Sequence, residues 1–337
     1  MKSTVRDYKI DLLRLVGILL ITLAHVNPTE IVFQLRNFDV VLLVILSGSS
    51  FSGIGNLGVL NYFSNRFTRL ILSTWFFVTL YFLINKIYYF SLKPINFNTY
   101  IESLMLYRGM GYIWVVKVFF ICSIIGPYCL KIIDRFHGTR KFYVYLFSFL
   151  FSEFLIVFMT KIGINLSFTF LSFPLPYILC FCLGNELKKR QFNLKISFVL
   201  PAVLVFIIFI FYYYFKIGGF VFTQLFKYPP RIYFISYSLI GSFFVIWLVN
   251  QINLGKLEAF FKISLIRIIS NNTIWFYFIH VFFVDLTKNL PIFYANKYLI
   301  VIIATSICLI IWVKLVQNFL KIFPESISRF MAKIMLG

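Results

Sequence analysis

Long apolar segments alternate with short polar ones along almost the whole chain. The stretch at 198–215, FVLPAVLVFIIFIFYYYF, contains no charged residue. A β-barrel would instead alternate apolar and polar residues within strands of about ten residues. A helix needs roughly 20 apolar residues to cross the hydrocarbon core, so the pattern predicts an all-α polytopic membrane protein with about ten transmembrane helices. The predicted spans are 8–28, 38–55, 70–90, 111–131, 142–160, 169–187, 197–216, 231–250, 270–288 and 297–320.

The composition supports this class. Of the 337 residues, 61% are hydrophobic and only 13% are charged, whereas a soluble domain carries about 25% charged residues. The longest loop, at 91–110, is too short for a soluble domain. We therefore predict one transmembrane domain over 1–337, with a core at about 8–320 and a short cytoplasmic amphipathic tail at 321–337. This pattern leaves the oligomeric state open.

The excess of basic residues is explained by the way the chain would cross the membrane. The chain has 32 Lys and Arg against 11 Asp and Glu, a net charge of +21, which on a soluble protein would suggest nucleic acid. With the N-terminus inside, most of the basic residues fall in the inner loops, including the run 188–190. This bias predicts cytoplasmic termini, a lipid bilayer partner and no nucleic acid. The five Cys lie in apolar stretches without zinc-site spacing, so no metal is predicted.

Ionisable residues within membrane spans are costly and tend to mark function. Arg14 and His25 in the first span are eleven residues apart, which places them on one helix face and roughly 16 Å apart along the axis. His25 could act as a general base toward a hydroxyl, or could itself accept an acyl group. The alternative is that neither residue is catalytic. Arg14 would then extend its charged end to the membrane surface, and His25 would lie at the membrane–water interface.

Three further places in the sequence carry basic or ionisable side chains. Arg66 and Arg69 are i, i+3 at the inner end of the third span, where a guanidinium pair would suit the phosphates of coenzyme A or would anchor the helix. His280 lies near the middle of the ninth span and could simply bond a neighbouring helix. Lys117 could pair with an acid inside the membrane, which the sequence does not identify.

Several short motifs follow one another in a specific order. The first span contains Asp11, then Arg14, then a His eleven residues later. Further motifs are Ser47-Gly48, Arg66-x-x-Arg69, Trp75, Gly126-Pro127, Gly184 and the segment from Thr273 through Tyr277 to His280. In this order and on these helices, the motifs resemble those of the membrane acyltransferase 3 family. Two residues depart from the family's pattern. Thr273 stands where the family usually has Ser, and Lys117 lies on a helix where the family more often has neutral or acidic residues.

The resemblance implies an O-acetyltransferase-like enzyme of the bacterial cytoplasmic (inner) membrane. It would move an acyl group, usually acetyl, from cytoplasmic acyl-CoA to a sugar hydroxyl of a cell-surface polysaccharide or lipid-linked glycan. Acyl-CoA would be a co-substrate, with no bound cofactor. His25 and Arg14 would be catalytic, and Arg66 and Arg69 would bind the donor. The residues expected to support the site are Asp11, Ser47, Tyr277 and His280.

Two other functions remain open at this point. A lipid-linked glycan flippase or exporter could use the same basic residues for a phosphate-bearing cargo, although transporters often show internal repeats and none is visible. A glycan polymerase would be expected to have a larger outer loop than 91–110. The acceptor and the nature of the acyl group are likewise left open.

Overall fold

A computed structural model describes residues 6–51, 53, 58–88, 96–107, 109–163, 174–194 and 196–337. Within these ranges the chain is helical, and its one β-type pairing is an isolated bridge between Lys227 and Pro230. The chain divides into two compact units. The first unit comprises Met1–Thr29, Leu60–Lys117 and Val249–Gly337, and the second comprises Glu30–Val59 and Val118–Leu248.

The helices follow one another along the chain with short connections. They are α1 Tyr8–His25, α2 Glu30–Leu35, α3 Asp39–Ser49, α4 Gly58–Phe67, α5 Ser73–Tyr88, α6 Phe97–Leu104, α7 Trp114–Ile133, α8 Gly138–Lys161, α9 Leu175–Lys189, α10 Ile196–Ile217, α11 Ile232–Asn250, α12 Leu254–Lys262, α13 Ser264–Asn271, α14 Thr273–Thr287, α15 Tyr294–Leu320 and α16 Glu325–Met335. A π-helical turn, Thr68–Leu72, joins α4 to α5, and a 3₁₀ turn occupies Thr223–Phe226.

Seven segments of the described chain are long and apolar enough to cross a membrane, which confirms the all-helical membrane class. They are Glu30–Ser49, Gly58–Ile87, Trp114–Ile133, Gly138–Lys161, Ile196–Ile217, Ile232–Asn250 and Tyr294–Leu320. The other three predicted spans coincide with α1, α9 and α14. Helix α1 carries three charged residues within its 18, and α9 and α14 have 15 residues each, fewer than the roughly 20 that a bilayer requires. The count of ten and the cytoplasmic termini stay predictions.

The predicted loop at 91–110 is partly helical. Asn96 caps α6, because its side chain accepts a hydrogen bond from the Thr99 backbone N–H at 2.7 Å. The structure describes 96–107 and 109–110 of this segment. The short amphipathic helix was missed because a single apolar face over two turns does not stand out from loop sequence.

In the second unit, α3 and α9 pack closely through glycine. A Cβ added at Gly48 would overlap the backbone carbonyl of Phe181, and one added at Gly184 would overlap the carbonyl of Ile45. Asn185 fastens the same contact by donating to the Phe51 carbonyl at 3.1 Å. Small residues allow membrane helices to approach this closely. The glycine of the Ser-Gly motif in span two and the glycine of span six therefore serve one helix–helix contact.

Replacement of Gly184 with Ala is expected to destabilise the protein by about 1–3 kcal/mol, since the obstructing atom belongs to the backbone and cannot rotate away. Gly219→Ala is the matched control, because a Cβ there has open space around it. The measurement is thermal unfolding of both variants in detergent. Equal melting temperatures for the two variants would contradict the close-contact explanation.

The second unit also contains a buried charge cluster. Asp39 accepts a hydrogen bond from Arg36 at 2.6 Å, and the Lys227 Nζ lies 3.5 Å from its other oxygen. All three residues are 3% exposed or less. Burial lowers the pKa of Lys227 to about 8, against the opposing effect of Asp39. Neither Arg36 nor Lys227 belongs to a predicted span, yet both side chains are buried.

Candidate active site

Helix α1 carries the residues on which the sequence prediction chiefly rests. Asp7 begins the helix as its N-cap, accepting from the Lys9 backbone N–H at 3.1 Å. Near this end, the buried Asp11 accepts from Arg6 at 2.5 Å and lies 3.3 Å from an Arg14 nitrogen. Asp11 therefore orients the Arg14 guanidinium.

Arg14, Arg66 and Arg69 form an arginine cluster in the first unit. Arg69 lies in the π-helical turn and is close enough to both other arginines to be affected by their charges. Single π-helical turns inside α-helices occur frequently at functional sites. Mutually repelling guanidiniums on a helical scaffold favour a polyanionic ligand. The structure thus brings together all three arginines that the sequence singled out.

The carboxy-terminal helix lies beside this arginine cluster. Arg69 donates to the backbone carbonyl of Gly337 at 3.0 Å, and Ser73 donates to that of Ile334 at 2.8 Å. Two tryptophans, Trp275 and Trp312, donate to carbonyls of the same segment. The segment predicted as an amphipathic tail is therefore fixed in place by side chains of the first unit.

His25 belongs to a histidine cluster with His280 and Tyr112. Its ring centroid lies 5.5 Å from that of His280 and 4.8 Å from that of Tyr112. Val26, the residue after α1, packs against Val284 of α14 and Val301 of α15. This packing holds the end of α1 against α14, so that two histidines 255 positions apart in sequence become neighbours.

His280 is fully buried, and its two ring nitrogens have different surroundings. Nδ1 is hydrogen-bonded to the backbone carbonyl of Tyr277. Because a carbonyl only accepts, Nδ1 carries the proton and Nε2 presents a lone pair in the neutral ring. Over the described residues Nε2 has no hydrogen-bond partner. A buried acceptor of this kind is suited to a hydrogen-bond donor on a substrate.

The sequence prediction missed a polar network next to the histidines. Asp285 accepts a hydrogen bond from Tyr81, and the Tyr112 hydroxyl lies 3.5 Å from its other oxygen. Tyr277 in turn donates to the backbone carbonyl of Tyr112. Asp285 was visible as an acid within an apolar span, but nothing in the sequence indicated that Tyr81 or Tyr112 would contact it.

Two other residues of interest are not members of either cluster. Ser47 is half-buried on α3 in the second unit, and its role in the site stays a prediction. Lys117 is buried near the start of α7. Within the described ranges, no group of three His, Cys, Asp or Glu residues is arranged to hold a metal ion.

The model of the acyltransferase 3 family, described as an acyltransferase domain, matches residues 7–316. The chain belongs to this family. The match includes all of α1, the arginine cluster and the histidine cluster, and ends within α15. No curated protein and no solved structure matches the chain. Family membership and the apolar helices together identify a multi-pass membrane acyltransferase.

Proposed function

We propose that this acyltransferase moves an acetyl group from cytoplasmic acetyl-CoA to a sugar hydroxyl of a cell-surface polysaccharide or lipid-linked glycan. Its location would be the bacterial cytoplasmic membrane. The observation that carries the proposal is that α1 joins the arginine cluster, through Arg14, to the histidine cluster, through His25. These two residues are roughly 16 Å apart along the helix axis, a separation that the extended pantetheine arm of the donor would span.

The arginine cluster would bind the donor. Guanidinium groups form charge-assisted, bidentate hydrogen bonds with phosphates, and acetyl-CoA carries several phosphates at the end remote from its thioester. Arg69 would exchange its bond to the Gly337 carbonyl for one to a phosphate oxygen. The thioester would then extend along α1 toward His25.

The histidine cluster would carry the chemistry. His25 would take the proton from the attacking sugar hydroxyl, whose oxygen forms a bond to the thioester carbonyl carbon. The carbon–sulfur bond breaks, and the CoA thiolate leaves and takes up the proton from His25. His280 and Tyr112 would hold the His25 ring in place. If His25 instead accepted the acetyl group first, labelled acetyl would stay on the protein when acceptor is omitted.

Donor consumption distinguishes this proposal from the exporter alternative. Purified protein supplied with acetyl-CoA and envelope glycan is expected to release CoA and to add the mass of one acetyl group to the glycan. An exporter of lipid-linked glycan would consume no acetyl-CoA. Mass spectrometry of the glycan with and without the protein therefore tests the activity itself.

Replacing both Arg66 and Arg69 with Gln is expected to raise KM for acetyl-CoA by at least about tenfold, because a hydrogen bond to a charged group contributes roughly 1.5–3 kcal/mol. The turnover number should change less. The matched control is Arg135→Gln, since Arg135 is exposed and lies in the second unit. An unchanged KM in the double variant would exclude these arginines from donor binding.

A further inference from the structure

The second unit contains a cavity of about 500 Å³ among α8, α9, α10 and α11. This volume is within the range of roughly 300–1,000 Å³ that small-molecule sites occupy. None of its lining residues belongs to the arginine cluster or the histidine cluster. Most of the wall is apolar, including Leu146, Phe149, Leu183, Val205, Leu239 and Phe243.

One part of the cavity wall is charged. Lys141 contacts Glu186 at 2.6 Å and Asp134 at 2.7 Å, and Arg190 contacts Glu186 at 2.8 Å. Lys189 completes the network with Asp134. Burial would raise the pKa of Asp134, but hydrogen bonds from Lys141 and Lys189 outweigh it and hold that pKa below its ordinary value. Of these side chains, Lys141, Glu186 and Arg190 line the cavity, so its charged end has two cations, one acid and one net positive charge.

A second observation points to a ligand in the cavity. Tyr145 lines it and is 8% exposed. Within the described residues, its hydroxyl has no hydrogen-bond partner. A buried hydroxyl without a partner is unfavourable, and a hydrogen bond to a ligand oxygen in the cavity would remove that cost. The cavity therefore combines a hydroxyl group, a positive end and an apolar body.

The cavity extends to the lipid-facing surface. Its wall includes Leu200 of α10, which is 48% exposed. Only 6% of the apolar window of α10 and 17% of that of α8 are buried inside the protein, the two lowest shares among the candidate spans. In a membrane these two helices face acyl chains, so a lipid can reach the cavity from the bilayer.

We propose that this cavity binds one phospholipid with an anionic headgroup, taken from the surrounding bilayer. One acyl chain would lie along the apolar wall, and the headgroup phosphate would approach Arg190 and Lys141. An ester oxygen would accept the hydrogen bond of the Tyr145 hydroxyl. The net positive charge selects an anionic lipid over a zwitterionic one. The proposal does not depend on the acyl-transfer activity.

Native mass spectrometry of the delipidated full-length protein, titrated with phosphatidylglycerol or phosphatidylcholine, tests the site. The unaltered protein is expected to bind one phosphatidylglycerol at least about tenfold more tightly than phosphatidylcholine. Ala202→Leu, which fills the cavity, should abolish this binding. Tyr145→Phe should weaken binding several-fold, and Arg190→Gln should remove the headgroup preference. The control is Ile208→Ala, because Ile208 is 64% exposed on α10 and does not line the cavity.

Three results would overturn the proposal. One is equal affinity of the unaltered protein for the two phospholipids. Another is unchanged phosphatidylglycerol binding in both Tyr145→Phe and Arg190→Gln, which are conservative enough to fold even if Ala202→Leu does not. The third is displacement of phosphatidylglycerol by a polyprenyl phosphate at a tenfold lower concentration, which would assign the cavity to a glycan-carrier lipid.

Discussion

Replacement of His25 with Ala is expected to lower the rate of acetyl transfer by about 10²–10⁴-fold, the usual contribution of a positioned general base. The His25 ring packs against those of Tyr112 and His280, and α1 carries no other histidine. Binding of acetyl-CoA should persist, because the arginine cluster is unchanged. The rate is measured as CoA release and as acetyl mass gained by the glycan.

The chain offers a matched control for His25, since it has only three histidines. His137 is exposed in the second unit, and His137→Ala should retain full activity. Both variants must first be shown to reach the membrane in normal amounts. Normal glycan acetylation by His25→Ala would remove His25 from the mechanism under either the direct or the acyl-histidine route.

Replacement of Asp39 with Asn is expected to lower the free energy of unfolding by about 3–5 kcal/mol, because it leaves two buried cations without their carboxylate. Lys227→Met removes the surplus cation and keeps the pair of Asp39 with Arg36. It should cost about 1 kcal/mol or less, mainly through the loss of a 3.4 Å contact with Asn37. Glu258→Gln, in an exposed pair with Lys262, should have an effect near zero.

The charge cluster of Arg36, Asp39 and Lys227 also predicts that the stability of the protein depends on pH. Between the folded pKa of Lys227, about 8, and its ordinary value of 10.5, the unfolded chain holds a proton that the folded chain has lost. Stability should therefore rise with pH over this interval, and Lys227→Met should lack that component. Melting in detergent from pH 7 to 10 measures both effects. If Asp39→Asn and Lys227→Met lowered the free energy of unfolding equally, Lys227 would not be the surplus cation of this cluster.

The helices were largely predictable because apolar runs of membrane length are a local property of sequence. Each predicted span coincides at least in part with a helix. Crossing the bilayer is harder to predict for α1, whose Lys9, Asp11 and Arg14 lower its hydropathy, and for the short α9 and α14. Whether these three helices cross the bilayer depends on neighbouring helices, which can shield the charges of α1 and support helices as short as α9 and α14. Such packing is a tertiary property that one helix's sequence does not contain.

The candidate site was partly predictable for a similar reason. Residues on one helix, such as Arg14 and His25, could be placed on a common face by periodicity alone. The contact of His25 with His280 depends on how α1 and α14 pack, and the bond between Tyr81 and Asp285 joins α5 to α14. Pairings across helices of this kind leave no periodic signal in one sequence.

The hydrogen bond from Arg69 to the Gly337 carbonyl keeps the guanidinium oriented while the donor is absent. A phosphate oxygen carries charge and the carbonyl oxygen does not, so a donor phosphate would displace the carbonyl. Hydrogen bonds from Ser73, Trp275 and Trp312 would then hold α16 without Arg69. Binding of acetyl-CoA would therefore loosen the segment at Gly337 and leave the rest of α16 in place.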